Sequence, residues 1–337
     1  PCIADRALEF YNNQNENLKK NIIAASSIEH EGLKDIFINY IFLDDIHAKD
    51  FREKLNEVVK SNNITAIICA SDIVAARFNE LNYPLPIIDI STDVFNAIKN
   101  YDQLSDLASK AYNDLTSSLG YSPKITDKQI LELLHICSRI PGQNSLKKII
   151  EFIRIFECLP IGDIIEIGVL FGKSATALGY LNNIYNHGQI YLVDTWKAET
   201  ARQNDSPEFI KNIVNRINWD SVYERAKLEI GSAGIKNYHV IKGTVKDLEI
   251  SLEVKNKTKE KVISLAHIDG NHDYDVVKKD IETIFKWMKP GGIIICDDYE
   301  WVHGQGVKEA VKEISEVYAA NIRSIEVQLN SAIIYLM

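Results

Sequence analysis

Glu166-Ile-Gly-Val-Leu-Phe-Gly-Lys-Ser174 stands where an apolar run ends and a helical pattern begins. The run Asp163 to Ile167 reads as a strand that delivers a carboxylate to the C-terminal edge of a sheet. Gly168 and Gly172 then let the backbone turn tightly and approach a ligand. A dinucleotide fingerprint reads G-x-G-x-x-G and aims helix N–H groups at a pyrophosphate. Here the pattern is E-x-G-x-x-x-G-x-S, which keeps the tight turn without the phosphate cradle.

Working outward, the following blocks keep the order of an open α/β sheet. Gln189 to Trp196 is an apolar strand ending in Asp194, about one βαβ unit beyond the glycine loop, where an acidic side chain takes the two hydroxyls of a ribose. Tyr238 to Val245, Val262 to Gly270 and Gly291 to Asp298 are short, nearly continuous apolar runs, the pattern of strands buried on both faces of a parallel sheet. Helical patterns at Ser174 to Asn183, Ser206 to Asn218 and Asp275 to Met288 separate them, the last with Asp275 as N-cap and Pro290-Gly291-Gly292 as its stop. Two β-rich tracts, Ser324 to Leu329 and Ser331 to Met337, close the chain around a tight turn at Asn330. In this layout the chain resembles the class I S-adenosylmethionine (SAM) dependent methyltransferases. That resemblance implies a Rossmann-like sheet with a terminal antiparallel hairpin, and SAM as donor, whose sulfonium and amino group suit a carboxylate. It implies a donor site built from Glu166, Gly168, Gly172, Ser174, Asp194, Thr195, Trp196, Gly243, Thr244 and Asp269.

A second constellation is His267-Ile-Asp-Gly-Asn-His-Asp-Tyr274 together with Cys296-Asp-Asp-Tyr299. Both follow apolar strands, so Asp269, Asp297 and Asp298 are expected to converge in the crevice outside the strand ends. Carboxylates that close repel unless a cation compensates. An oxygen-rich set without thiolates favours a hard divalent ion, Mg²⁺ or Mn²⁺, which binds an acceptor hydroxyl and lowers its pKa. The IDG-x-H-x-Y block, paired with a strand ending in Asp-Asp-Tyr behind K-P-G-G, resembles the macrocin O-methyltransferase family over roughly Gly142 to Val311. The resemblance implies a metal held by Asp269, Asp297 and Asp298, and a hydroxyl acceptor on a sugar, a glycan precursor or a secondary metabolite. The sequence departs from the macrolide enzymes at Asn271-His272, nearer to a broader D-G-x-H group. His272 is the first candidate for general base and His303, in the segment Trp301 to Gly306, the second. Tyr299 and Trp301 are candidates to line the acceptor pocket.

Composition bounds the reading. A chain of 337 residues suits two domains, and a net charge of −9 with no basic aromatic-laced patch argues against nucleic acid as the acceptor. Its five cysteines are scattered without a C-x-x-C pair, as expected of reduced thiols in a cytoplasmic protein. No apolar run approaches the roughly 20 residues that span a membrane, and no secretory signal pattern opens the sequence. Residues 1–100 read as a smaller α/β unit, with apolar runs at Asn21 to Ile28, Asp35 to Leu43, Thr65 to Cys69 and Pro86 to Ile90 forming a sheet covered by helices at Ala48 to Asn62 and Ile73 to Leu81. Ser71 and Asp72 read as helix-capping residues. Residues 101–141 read as a helical linker, with helices Tyr101 to Leu119 and Asp127 to Ile140. Residues 142–337 read as the methyltransferase domain, entered by the helix Ser145 to Leu159, with the turn Pro141 to Asn144 over the donor. Two rivals carry different expectations: a hydroxylase-type D-G-x-H relative requires two histidines and one carboxylate around iron, and a non-catalytic SAM-sensing regulator requires loss of the acidic set. The oligomeric state is left open, a homo-oligomer included.

Overall fold

The computed structural model describes residues 3–27, 36–90, 94–204, 206–255 and 260–337. The chain divides into units 1–103 and 104–337, the division falling inside the long helix Val94–Leu119.

In the first unit, β1 (Ile23–Ser26) pairs in parallel with β2 (Asn39–Phe42), and β3 (Ile67–Cys69) with β4 (Ile87–Asp89). These are two separate two-stranded sheets among the described residues, not the single sheet expected, and strands of three and four residues offer short ladders. Residues 28–35, within the expected runs, lie outside the described residues. The helices Phe51–Ser61 and Asp72–Glu80 close a small core of Phe51, Leu55, Cys69, Ala75, Phe78 and Tyr83. Ser71 takes the N-cap position of the second helix without a side-chain capping bond.

The second unit is a seven-stranded sheet. Its strands are β5 (Asp163–Ile167), β6 (Ile190–Asp194), β7 (Tyr238–Lys242), β8 (Ile263–Ile268), β9 (Met288–Cys296), β10 (Ile322–Gln328) and β11 (Ser331–Leu336). Their order is β10-β11-β9-β8-β5-β6-β7, and β11 alone runs antiparallel to its neighbours. This is the Rossmann-like sheet with a terminal antiparallel hairpin expected from the sequence. From β5 the chain goes outward to β6 and β7, then returns across β5 to β8, so the topological switch point lies between β5 and β8, where open α/β sheets bind ligands.

Each face of the sheet is covered. Helices Val94–Leu119, Asp127–Arg139, Leu146–Cys158 and Lys173–Tyr185 bury residues such as Leu115, Leu133, Phe152, Phe156 and Leu178 against Ile164 and Leu265. Helices Val245–Lys255, Tyr274–Phe285 and Gly306–Val317 pack Leu248, Ile281 and Val311 against Ile165, Ala266 and Ile294 on the other face. The segment read as a linker therefore contributes Ala108, Leu115, Ile130 and Leu133 to the main core. Thr126 and Gln129 start the second of these helices with a reciprocal capping box, and Ser145 caps the third by accepting from the Lys148 amide at 3.3 Å.

Two details of the sequence reading change. The helix expected over Asp275 to Met288 is Tyr274–Phe285 with Asp273 at its N-cap, and Pro290-Gly291-Gly292 lies within β9 instead of stopping the helix. The register of β9 against β8 slips between Ile263 and Leu265, which accommodates Pro290 and the left-handed Gly291 (φ +71°) near the start of the strand. Helices Trp219–Ser232 and Val245–Lys255 carried no distinct sequence pattern. No described helix is long and apolar enough to cross a membrane.

Gly168 fixes the switch point. Its φ is +88°, and a Cβ there would lie 2.0 Å from the Asp269 carbonyl oxygen. Gly168→Ala should therefore lose at least about 2 kcal/mol of stability, the scale of imposed backbone strain plus a backbone clash. Urea unfolding checks it, and a loss below about 0.5 kcal/mol, the range of an ordinary surface substitution, would show that β5 and β8 do not meet so closely.

Candidate active site

The glycine loop is held by hydrogen bonds from the end of β6. Asp194 Oδ2 accepts from the amides of Val169 and Leu170, both at 2.9 Å, and Oδ1 accepts from the Trp196 amide at 2.7 Å. The buried Trp196 indole donates to the Leu170 carbonyl at 2.9 Å. Leu170 and Trp196 both sit in the left-handed region, at φ +49° and +46°, a strain that surrounding contacts must hold. Thr195 bonds Thr200, and Gly243 donates its amide to the Asp194 carbonyl at 2.9 Å. Thr244 gives its amide to Asp247 at 2.8 Å, so Gly243 and Thr244 line the end of β7 beside Asp194. Gly172 (φ +85°) is the N-cap of the following helix, and the buried Ser174 lies in its first turn.

Glu166 is placed differently from the open-edge position suggested by the sequence. It has no exposed surface; its Oε1 lies 3.3 Å from His267 Nδ1, its register partner on β8. Burial raises the Glu166 pKa, with His267 and Ser174 opposing the rise. His267 is equally enclosed, edge-on to Phe152 at 5.1 Å, and its Nε2 lies 3.7 Å from Asp297 Oδ2. Burial works against the imidazolium here, yet Asp297 and Glu166 outweigh it and raise its pKa to about 10.

Asp297 follows β9 on the same face. Its Oδ1 accepts from Lys148 Nζ, from Ser331 Oγ at 2.8 Å and from the Asp298 amide at 3.1 Å. Burial alone would raise its pKa, but His267 and Lys148 win and hold the carboxyl well below the usual range. Asp298 is left-handed at φ +54°. Its Oδ2 lies 3.0 Å from His272 Nε2, and Asn330 Nδ2 donates to its Oδ1 at 2.9 Å. Burial opposes the charged form of His272, and Asp298 outweighs it, so its pKa is raised. Asp269 accepts from Asn144 Nδ2 at 3.0 Å. Burial and then Asp297 raise its pKa to about 8, against the attraction of His267.

These groups form two metal-sized clusters: His267, Asp269 and Asp297 in one, Asp269, His272 and Asp298 in the other, with ligand atoms within 4.8 Å of one another in each. Asp269 is common to both, whereas Asp297 and Asp298 fall in different clusters. The donor set fits a hard divalent ion, and the buried Asn144 Oδ1, His267 Nε2 and His272 Nδ1 have no protein hydrogen-bond partner. Neither cluster has the two histidines and one carboxylate of a non-haem iron centre. His303 is exposed and edge-on to Trp301 at 5.1 Å, outside both clusters; Trp301 stands between it and His272, 5.1 Å from each ring. Tyr299 packs on the core beneath the helices Val245–Lys255, Tyr274–Phe285 and Gly306–Val317.

The sequence did not single out Lys148, Asn330 or Ser331 as site residues. His267 carried a signal, an imidazole inside the apolar run Val262 to Ile268, whereas Lys148 on an amphipathic helix looks like any solvated lysine.

A raised folded pKa keeps a proton on the native state longer than on the unfolded chain, so its stabilisation is full below the unfolded pKa and fades as pH rises through the folded one. For His267 that window runs from 6.5 to about 10, and Asp269 acts in the same direction from 3.8 to about 8. Urea-unfolding stability in EDTA should therefore decline from pH 6.5 to 10, and His267→Gln should flatten the decline. An unchanged slope in the variant would rule out the imidazolium as its source.

Residues 165–299 match the family described as a methyltransferase domain, about two-fifths of the chain. Among solved structures the fold is similar to calicheamicin methyltransferase CalS11 (18% identity, 67% of this chain and 91% of that chain, TM-score 0.43). It is also similar to the O-methyltransferase NovP (15% identity, 68% and 98%, TM-score 0.45) and to MycE methyltransferase from the mycinamycin pathway (17%, 60% and 54%, TM-score 0.38). No curated protein sequence matches the chain.

Proposed function

We propose that this SAM-dependent methyltransferase is a divalent-metal-dependent O-methyltransferase, acting on a hydroxyl of a sugar, a glycan precursor or a secondary metabolite. The observation that carries this is the position of Asp269. It lies at the switch point against Gly168, and it is the carboxylate shared by two metal-sized clusters. A bound Mg²⁺ or Mn²⁺ would supply Lewis acidity that lowers the pKa of the acceptor hydroxyl.

The protein's own residues divide the work. Asp269 would hold the ion, with Asp297 on one side or Asp298 on the other. The loop from Gly168 to Ser174, with Asp194, Thr195, Trp196, Gly243 and Thr244, would orient the donor, and Glu166 would act from beneath through His267. His272 has Nε2 committed to Asp298, so Nδ1 is the atom left to take the acceptor proton. His303 and Trp301, above that ring, would exclude water from the acceptor side. Every group of this set lies within 104–337, so the first unit is read as serving acceptor recognition or assembly, with 142–337 as the chemical core.

Excess EDTA should abolish methyl transfer and added Mg²⁺ or Mn²⁺ restore it, while calorimetric SAM affinity stays nearly constant. Full activity in EDTA would remove the metal from the reaction. Asp194→Ala should weaken SAM binding by about 1–3 kcal/mol, the scale of lost charged hydrogen bonds. Unchanged affinity in a folded Asp194→Ala protein would separate the donor from this loop.

A further inference from the structure

The helix Leu146–Cys158 carries Lys148 and Glu151 three residues apart, hence on one face. Lys148 leans toward the strand ends and gives its ammonium to Asp297; the two side chains are 12% and 3% exposed. On the other side is a small cavity lined by Lys148, Glu151, Phe152, Gln328, Ser331 and Ile333. Glu151 Oε1 is buried without a hydrogen-bond partner, its Oε2 lies 3.7 Å from Arg154 Nε, and the Gln328 side chain also bonds the carboxylate; burial raises its pKa against both. An unpartnered buried carboxylate oxygen is costly, and its cost is relieved by a proton or by a donor that can reach it, an ammonium best of all. The flexible four-carbon stem of Lys148 spans the distance between residues i and i+3 of a helix.

We propose that Lys148 is a built-in counter-cation with two seats, on Asp297 when the carboxylates hold no metal and on Glu151 when a divalent ion takes Asp297. The inference rests on the metal-dependent reading above. An ammonium and a divalent cation on one buried carboxylate repel strongly in a medium of low dielectric constant. A displaced lysine left among Phe152 and Ile333 without an anion would be equally unfavourable. Glu151 solves both problems: it receives the ammonium in a cavity already lined by the two side chains, and its own orphaned oxygen gains a donor. Metal affinity is then an exchange equilibrium set by this chain, instead of simple filling of an acidic cup. The neutral amide of Asn144 on Asp269 offers no such competition.

Isothermal calorimetry of MgCl₂ and MnCl₂ on the full-length protein, without donor or acceptor, tests the proposal, with thermal melts to confirm folding. Lys148→Met should bind metal about tenfold or more tightly than wild type, the scale of a lost charged hydrogen bond. Lys148→Arg, with a fork that grips a carboxylate in two places, should bind several-fold more weakly. Glu151→Gln should also weaken binding, because the displaced ammonium loses its second seat. Wild-type affinity in Glu151→Gln, or equal or weaker binding in Lys148→Met, would overturn the two-seat device while leaving metal dependence intact. If Lys148→Met fails to fold, the Arg and Gln variants still decide. Absence of metal binding to the wild type itself would overturn the metal reading, and the exchange with it.

Discussion

One buried row of charge orders the catalytic edge of this protein. Glu166 on β5, His267 on β8 and Asp297 after β9 succeed one another across the sheet, with Ser331 at the start of β11 and Lys148 arriving from the covering helix. Each carboxylate in the row has a cation beside it, so the row is tolerated in an interior that would reject its members singly. Removing one partner from such a pair leaves an uncompensated charge, at a cost of about 3–5 kcal/mol. The row thus links four strands and one covering helix through polar contacts within an otherwise aliphatic core.

The glycine-loop side and the carboxylate side share a wall. Gly168 lets β5 end in contact with the Asp269 carbonyl, and Asp194 and Trp196 hold the loop that follows. Farther out, Asn271 donates to the carbonyls of Thr200 and Arg202, while Asp273 receives the amide and side chain of Asn204. The segment after β6 is thus tied to the segment after β8. A displacement of either one moves the boundary of the other, as the proposed in-line transfer would require.

Much of this was legible in the sequence because strands buried on both faces are written as continuous apolar runs, and their ends are marked by Gly, Asp and His. The sheet, its hairpin and the location of Asp269, Asp297 and Asp298 at its C-terminal edge follow from that pattern. The destination of Glu166 does not. A carboxylate at a strand end faces either the crevice or the covering helix, and only the imidazole of His267 on the neighbouring strand decides between them. Lys148 was illegible for a related reason: its neighbour Lys147 is exposed, and the sequence of the helix does not say which lysine is drawn inward. The helix stop expected at Pro290-Gly291-Gly292 misled because a register slip admits the same residues into a strand.

The distribution of cations explains why the site gathers around Asp269. Lys148 and His267 serve Asp297, His267 also serves Glu166, and His272 serves Asp298. Asp269 receives a neutral amide from Asn144, and burial, with Asp297 and Asp298 adding to it, pushes its pKa to about 8. Near neutral pH it retains a proton unless positive charge is brought in from outside the chain. A carboxyl in that condition gains most from an added cation, the role proposed for it above, and this one lies at the switch point, with bare backbone at Gly168 on one side and His272 on the other.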